Sequence, residues 1–180
     1  MHARSGEYVV WFTTTADPGV RVGVAQASAV EWSEQVNADT SMTVTTPLYS
    51  GHPDLASIEP GATLLWLVRD GVPVAAPVWI IGAQLDLAAE TVAWSGVGLM
   101  AYFDRRIVTT AISHTAVDVL QIARGVITAC QATAGGNIGL LTGTELAGVT
   151  RDLTVPVSDH EKCGDLFRSL AEEDGFDWRV

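Results

Sequence analysis

The chain is 180 residues long, which at roughly 150 residues per domain leaves room for one domain or two small ones. With 48% apolar and 17% charged residues it can bury enough surface to offset its ordering entropy, so general disorder is excluded. Ten basic residues stand against 21 acidic ones, and the resulting net charge of −11 is opposite to the footprint of a duplex-binding protein, which excludes sequence-specific nucleic-acid binding.

Two cysteines, Cys130 and Cys163, make neither a secreted disulfide framework nor a four-ligand zinc set, and they fit synthesis in a reducing compartment. The longest apolar stretches, Ala62 to Val68 and Val72 to Ile81, fall short of the about 18 residues that a transmembrane helix needs. The burst from Tyr8 to Phe12 is too short for the hydrophobic region of a signal peptide. A soluble, non-exported protein is expected. A mean hydropathy of +0.25 with so little charge points to a component whose surface is partly covered by other subunits.

Glu7 to Thr15 is rich in β-branched and aromatic residues and is closed by Asp17-Pro18-Gly19, a strand ended by a turn. Val20 to Ala27 alternates with the period of a half-buried strand, and Ala29 to Glu34 extends it or turns. Ser41 to Thr46 alternates again and stops at Pro47; Leu48 to Gly61 is a loop with room for one helical turn. From Ala62 to Gly98 the chain reads as a β-meander: ATLLWLVR, an Asp70-Gly71 hairpin turn, a proline-interrupted VPVAAPVWII, a bulge at Gly82, then AQLDLA and TVAWSGV. So many short strands before any long helix predict a small barrel or sandwich.

After Leu99 the period changes. Thr115 and Asp118 form a capping-box pattern that predicts a helix starting there, with Val119, Ala123, Val126 and Cys130 as its apolar stripe. Ala134 to Gly148 holds five glycines and predicts a loop ordered against a neighbour. Arg151 to Val157 reads as a strand. A second capping box, Ser158 to Glu161, opens a helix that buries Leu166, Phe167 and Leu170 and ends at Gly175. Phe176, Trp178 and Val180 alternate as a last strand, which implies either a longer polypeptide or pairing with another chain. The predicted fold is α+β: a β-rich, barrel-like domain over 1–104, then an α/β domain with two helices over 105–180.

The search for chemistry starts from nucleophiles, bases and ligands in recognisable contexts. Ser95 precedes a glycine but lacks the glycine two positions earlier that a nucleophile elbow requires, and it reads as a turn serine. His114 and Asp118, beside Ser113, read as helix caps. His160 and Cys163 share a helix face at metal-ligand spacing, yet no second ligand pair accompanies them, so structural roles are expected. His2 and His52 read as solvated. Glu172, Glu173 and Asp174 form a solvated helix end or a surface for a basic partner.

The glycine pairs offer no better. Gly135, Gly136 and Gly139 lack the Lys-Ser/Thr of a phosphate loop, and Gly96-Val97-Gly98 lacks the third glycine of a dinucleotide fingerprint. Trp11, Trp32, Trp66, Trp79, Trp94 and Trp178 read as core rather than as a carbohydrate platform or interface, since four lie in strand patterns. Arg105-Arg106 is either a solvated helix end or a bidentate anchor for carboxylates of an adjacent subunit. No catalytic, cofactor-binding or metal-binding residue is assigned, and neither enzyme activity nor a cofactor is expected.

In chain order stand EWSEQVN (31–37), SMTVTTP (41–47), a glycine-rich hairpin, WIIGAQLDL, TVAWSGVGLMAYFDRRIV (91–108), a capped helix, and a final helix leading to EEDGFDWRV (172–180). This series resembles the N-terminal part of the tail-tip, or baseplate, hub proteins of long-tailed bacteriophages, called minor tail proteins in phages of actinobacteria. The resemblance runs from Glu31 to Val180 and rests on order and spacing; Tyr102 to Arg106 and Phe176 to Val180 look like family landmarks and transfer no catalytic residue.

The resemblance implies tail-tube-like β-barrel domains with inserted α/β elements, assembled as a three-fold ring against tail-tube and other tail-tip proteins. It also implies a non-enzymatic structural protein of the virion tail tip, made in the host cytoplasm, that opens or seals the DNA conduit. Longer relatives carry peptidoglycan-cleaving or receptor-binding regions after this part; none follows in these residues, so a lytic role is not implied. Net acidity agrees, because a wall of negative potential lets DNA slide without sticking. The competing readings are a virion-associated cell-wall hydrolase and a tryptophan-rich carbohydrate- or receptor-binding module.

Overall fold

Strand follows strand through the first half of the chain because β-branched and aromatic residues recur there at alternate positions. A computed structural model describes residues 8–48, 57–134 and 136–178, in two units that divide between Leu99 and Met100. The first unit contains β1 (Tyr8–Thr14), β2 (Arg21–Gln26), β3 (Ala29–Ser33), β4 (Ser41–Pro47), β5 (Thr63–Arg69), β6 (Val72–Pro73), β7 (Val78–Asp86) and β8 (Thr91–Val97). They form one antiparallel sheet in the order β2-β1-β5-β7-β8-β4-β3, with β6 on β5.

β2 and β3 stand at opposite ends of that order, yet only Ala27 and Ser28 separate them in sequence. The Ala27 N–H donates to the Tyr8 carbonyl at 3.0 Å and the Ser28 N–H to the Thr45 carbonyl at 2.8 Å. Two neighbouring residues thus reach both ends of the sheet, so the sheet curls around its own inner face. Phe12 of β1, Leu65 of β5, Ile80 of β7, Trp94 of β8 and Val44 of β4 meet in a single buried cluster inside the curl. No ladder joins β2 to β3. The expected barrel is therefore corrected to a curled, open sheet, because the bend at Ala27-Ser28 divides one strand run between two partners.

The Asp70-Gly71 turn is present, with φ of 53° and 82°, the pair of positive values that a type I′ hairpin requires. The bulge also falls where Gly82 predicts it, as a register shift between Ile80 and Gly82. The strand continues through it, so WII and AQLD, read as two strands, are the single strand β7. The helical turn predicted within Leu48 to Gly61 lies largely outside the described residues.

The second unit contains α1 (Met100–Phe103), β9 (Ile112–Asp118), α2 (Val119–Ala132), β10 (Thr150–Val155), a 3₁₀ turn (Val157–Asp159) and α3 (Cys163–Asp174). β9 and β10 pair as an antiparallel ribbon. The predicted stripe of α2 is buried, as Val119, Ala123, Val126 and Cys130. Its start is not at Thr115: Ser113, His114 and Thr115 lie in β9, and Asp118 caps α2 by accepting the Leu120 N–H at 3.0 Å. Pairing with Thr150 to Val155 holds this β-branched stretch extended and overrides the local capping pattern.

The second capping box is also corrected. Ser158 sits in the 3₁₀ turn, His160 takes the left-handed conformation with φ of 50°, and α3 begins only at Cys163 without a side-chain cap. Leu166, Phe167 and Leu170 are buried and Gly175 ends the helix at φ of 70°, as predicted. Phe176 to Trp178 form no strand; both rings pack edge-on against Phe167, at 5.9 and 5.7 Å, and this packing explains their spacing. Val180 lies outside the described residues. Among the described residues no helix is long and apolar enough to cross a membrane.

Candidate interaction surface

β7 pairs with β8 from Trp79 to Asp86 but with β5 only at Val78 and Trp79. From Gly82 to Asp86 it has a ladder on one side only among the described residues, as do the terminal strands β2 and β3. An open strand side presents N–H and C=O groups that a strand of another chain can complete. The hairpin from β7 to β8 is also apolar where water reaches it, with Ile81 45%, Leu85 51% and Leu87 72% exposed. Its turn is fixed by Asp86, whose Oδ1 accepts the N–H groups of Ala88 and Ala89. Apolar side chains grouped on an open strand are what an assembly contact covers.

In the second unit, Gly136 to Val149 runs as an extended strap without helix or strand. Side chains of α2 and its cap hold it. The Gln131 amide accepts the Leu140 N–H at 2.9 Å and donates to the Leu140 carbonyl at 3.0 Å. Arg124 donates to the Glu145 carbonyl at 2.6 Å, and the Asp118 carboxylate accepts the amides of Ala147 at 3.3 Å and Gly148 at 2.8 Å. These anchors retreat along α2 as the strap advances, so the two run antiparallel. The glycine-rich segment predicted to order against a neighbour is thus ordered against its own helix, while Leu141 stays 94% and Leu146 67% exposed.

Burial raises the Asp118 carboxyl, but the N–H groups of Ala147, Gly148, Leu120 and Gln121 outweigh it and hold the group below its ordinary value. A depressed folded value stabilises above the unfolded value, near pH 4 by peptide standards, and is lost as pH falls through the folded one. Acid titration should therefore loosen the Ala147–Gly148 end of the strap in one step, seen as shifts of those two amide signals. Asp118→Ala, which removes the acceptor, should leave those signals in their released positions at neutral pH; an unchanged titration in that variant would assign the step elsewhere.

Two arginines organise the acidic groups. Arg168 grips both carboxylate oxygens of Asp104, at 2.7 and 2.8 Å, and Arg151 reaches Glu173 at 2.7 Å and Asp174 at 3.1 Å. The acidic run at 172–174 thus meets an arginine of its own chain. The Ser169 hydroxyl, and then Arg151, hold the Glu173 carboxyl below its ordinary value. The Arg106 guanidinium lies 4.8 Å over the Tyr102 ring, and the Tyr102 hydroxyl donates to the Gly136 carbonyl.

The other sequence candidates are not brought together. Ser95 lies within β8, opposite Thr43 and Gly82, and not in a turn. His114 is half-buried opposite Leu153, and His160 is exposed. Cys163 is buried and disulfide-bonded to Cys130, a pairing the sequence reading did not anticipate and one that removes it as a metal partner for His160. Among the described residues no three His, Cys, Asp or Glu side chains gather to hold a metal ion. His2, His52 and Gly135 lie outside the described residues.

Of the tryptophans, Trp79, Trp94 and Trp178 are buried, as the core reading predicts. Trp11 and Trp66 are half-buried partners across β1 and β5, with Arg21 4.3 Å above the Trp11 ring. Trp32 is the outlier at 44% exposed, its ring 6.3 Å from Tyr8. The strap anchors Gln131 and Arg124 and the Asp104–Arg168 pair escaped the sequence reading, because each joins residues far apart in the chain. Leu85 and Leu87 were legible in principle: alternation in AQLDL puts them on one face.

This fold is similar to that of a solved prophage tail protein. The prophage MuSo2 43 kDa tail protein from Shewanella oneidensis matches with a TM-score of 0.53 at 13% identity, over 96% of this chain and 52% of that one. The tail protein from Neisseria meningitidis MC58 matches with a TM-score of 0.48 at 12% identity, over 69% of this chain and 34% of that one. The chain thus spans about half the length of the Shewanella protein and a third of the Neisseria one. No protein-family model and no curated protein sequence matches it. The α+β architecture is one that this chain shares with the Shewanella protein.

Proposed function

We propose that the chain is a structural component of a bacteriophage tail tip, a hub or minor tail protein that joins the tail tube to the tip and forms part of the DNA-delivery conduit. The observation that carries this reading is a tail-protein fold shared over 96% of the chain, in which open strand sides and exposed leucines offer surface for copies and companions. Self-association as a three-fold ring belongs to the same proposal: open sides on different strands of one sheet favour head-to-tail contacts, which close into rings when the rotation between copies closes. A net charge of −11 fits a conduit wall that repels the DNA passing along it.

Two measurements test the reading. Light scattering on the purified chain should show self-association, or binding to a tube protein, at micromolar concentration, and antibody-labelled particles should carry the label at the tail tip. A strict monomer absent from the particle overturns it. Clearing of peptidoglycan by the purified chain would instead favour a virion-associated hydrolase.

A further inference from the structure

The chain's two cysteines, 33 residues apart, come together as a disulfide between the last turn of α2 and the first residue of α3. Both are buried. The strap, β10 and the 3₁₀ turn all lie inside the loop that this bond closes. On the Cys130 side, its carbonyl accepts the Thr133 hydroxyl at 2.8 Å, and the Thr133 carbonyl accepts the Gly136 N–H at 2.8 Å, where the strap begins. On the other side, the Cys163 N–H donates to the Arg106 carbonyl and the Val108 N–H to the Glu161 carbonyl, each at 2.8 Å. The bond therefore fastens the strap's point of departure to a backbone frame made by another part of the unit. Beyond it, the strap hangs largely on side-chain hydrogen bonds open to water, which contribute little net stability.

We propose that Cys130 and Cys163 form a reversible thiol–disulfide switch that locks the strap on α2 when oxidised and frees it when reduced. A narrow apolar recess walled by Val108, Ile112, Val126 and Ala129 includes both cysteines but is too small to admit a disulfide, so exchange proceeds when the unit opens locally around them. In the oxidising direction, one cysteine thiolate attacks a sulfur of a low-molecular-weight disulfide and expels one thiolate. The second cysteine thiolate then attacks the protein sulfur of the mixed disulfide and expels the other. The protein loses two protons and two electrons, and the small disulfide becomes two thiols. Locking presents Leu141 and Leu146 in one fixed arrangement; release lets them move. The switch does not depend on the tail-tip reading.

Three strap amides report on it, those of Leu140, Ala147 and Gly148, each bonded to a side chain of α2 or its cap. The full chain is equilibrated with oxidised or with reduced glutathione, alkylated under denaturing quench for thiol counting by mass, and followed by amide hydrogen exchange. Oxidised glutathione should leave no alkylatable thiol, and reduction should expose two. Reduction should also speed exchange of the three amides by about tenfold or more, reversibly, while β5 amides keep their rates. The variant Cys130→Ala/Cys163→Ala should exchange at the reduced rate under both conditions; because the main comparison uses the unsubstituted chain, a variant that fails to fold does not remove the test. Thiols that stay alkylatable in oxidised glutathione, or strap amides that exchange equally in both states, overturn the proposal.

Discussion

Phe12→Ala should destabilise the chain by about 3–5 kcal/mol, the usual cost of emptying a fully buried aromatic site. Phe12 has no exposure to water, and its ring meets Trp94 edge-on at 5.1 Å. β1 and β8 are not neighbours in the sheet, for β5 and β7 stand between them. In a flat sheet the two rings would be some 14 Å apart, three strand spacings of about 4.8 Å. Their contact exists because the sheet curls. A double-mutant cycle on Phe12→Leu and Trp94→Phe, read by urea unfolding, should therefore give a coupling of about 0.5–1.5 kcal/mol. Trp94 is further fixed by its indole N–H, which donates to the buried Thr46 hydroxyl at 3.0 Å. Simple additivity of the two substitutions would mean that the rings do not meet and that the sheet is not curled.

How much of this was legible depends on the range of the interaction. β-Branched and aromatic content named β1, alternation named β2 and β4, and the meander reading covered β5, β7 and β8, while β3 was left as an extension of β2 or a turn; Asp70-Gly71 and Gly82 marked a turn and a bulge where both occur, because those signals are set by residues within a few positions. Ladder order was not legible: the bonds from Ala27 and Ser28 to Tyr8 and Thr45 depend on partners as many as 19 positions away. The capping boxes at Thr115 and Ser158 failed for the same reason in reverse. A local cap competes with pairing to β10 in one case and, in the other, with the bridge of Lys162 to Ile107 that follows the left-handed His160, and the longer-range arrangement won both times.

The candidate surface divides along the same line. Leu85 and Leu87 alternate visibly, but that β5 pairs with β7 only at Val78 and Trp79 and leaves the strand's far end open is announced by no pattern within β7. The strap was legible as a glycine-rich loop and not as something held by Asp118, Arg124 and Gln131, since polar residues on a helix ordinarily face water. The expectation of a neighbour for this segment came from its five glycines and low charge, and that neighbour turned out to be the preceding helix.

Gly96→Ala carries the second large effect, and it tests how the exposed hairpin is mounted. A Cβ at Gly96 would overlap Val78 Cγ2 and sit 3.3 Å from the Trp79 carbonyl oxygen. Val78 is fully buried and β-branched, so it has no free rotamer into which to retreat. The strands must part instead, at an expected cost of about 1–3 kcal/mol from overpacking. They would part at the Ile80–Gly96 pairing beside the bulge, from which the apolar end of β7 continues, so the proposed self-association should weaken along with stability. Gly82→Ala is the matched control: nothing lies within 4 Å of its Cβ position, and the change should stay within about 0.5 kcal/mol. Adding Val78→Ala to Gly96→Ala should return part of the loss, making the double variant at least about 1 kcal/mol more stable than the sum of the single effects predicts. If Gly96→Ala and Gly82→Ala unfold at the same urea midpoint as the parent, β7 and β8 do not approach as closely at Gly96 as described, and the hairpin is not held by that crossing.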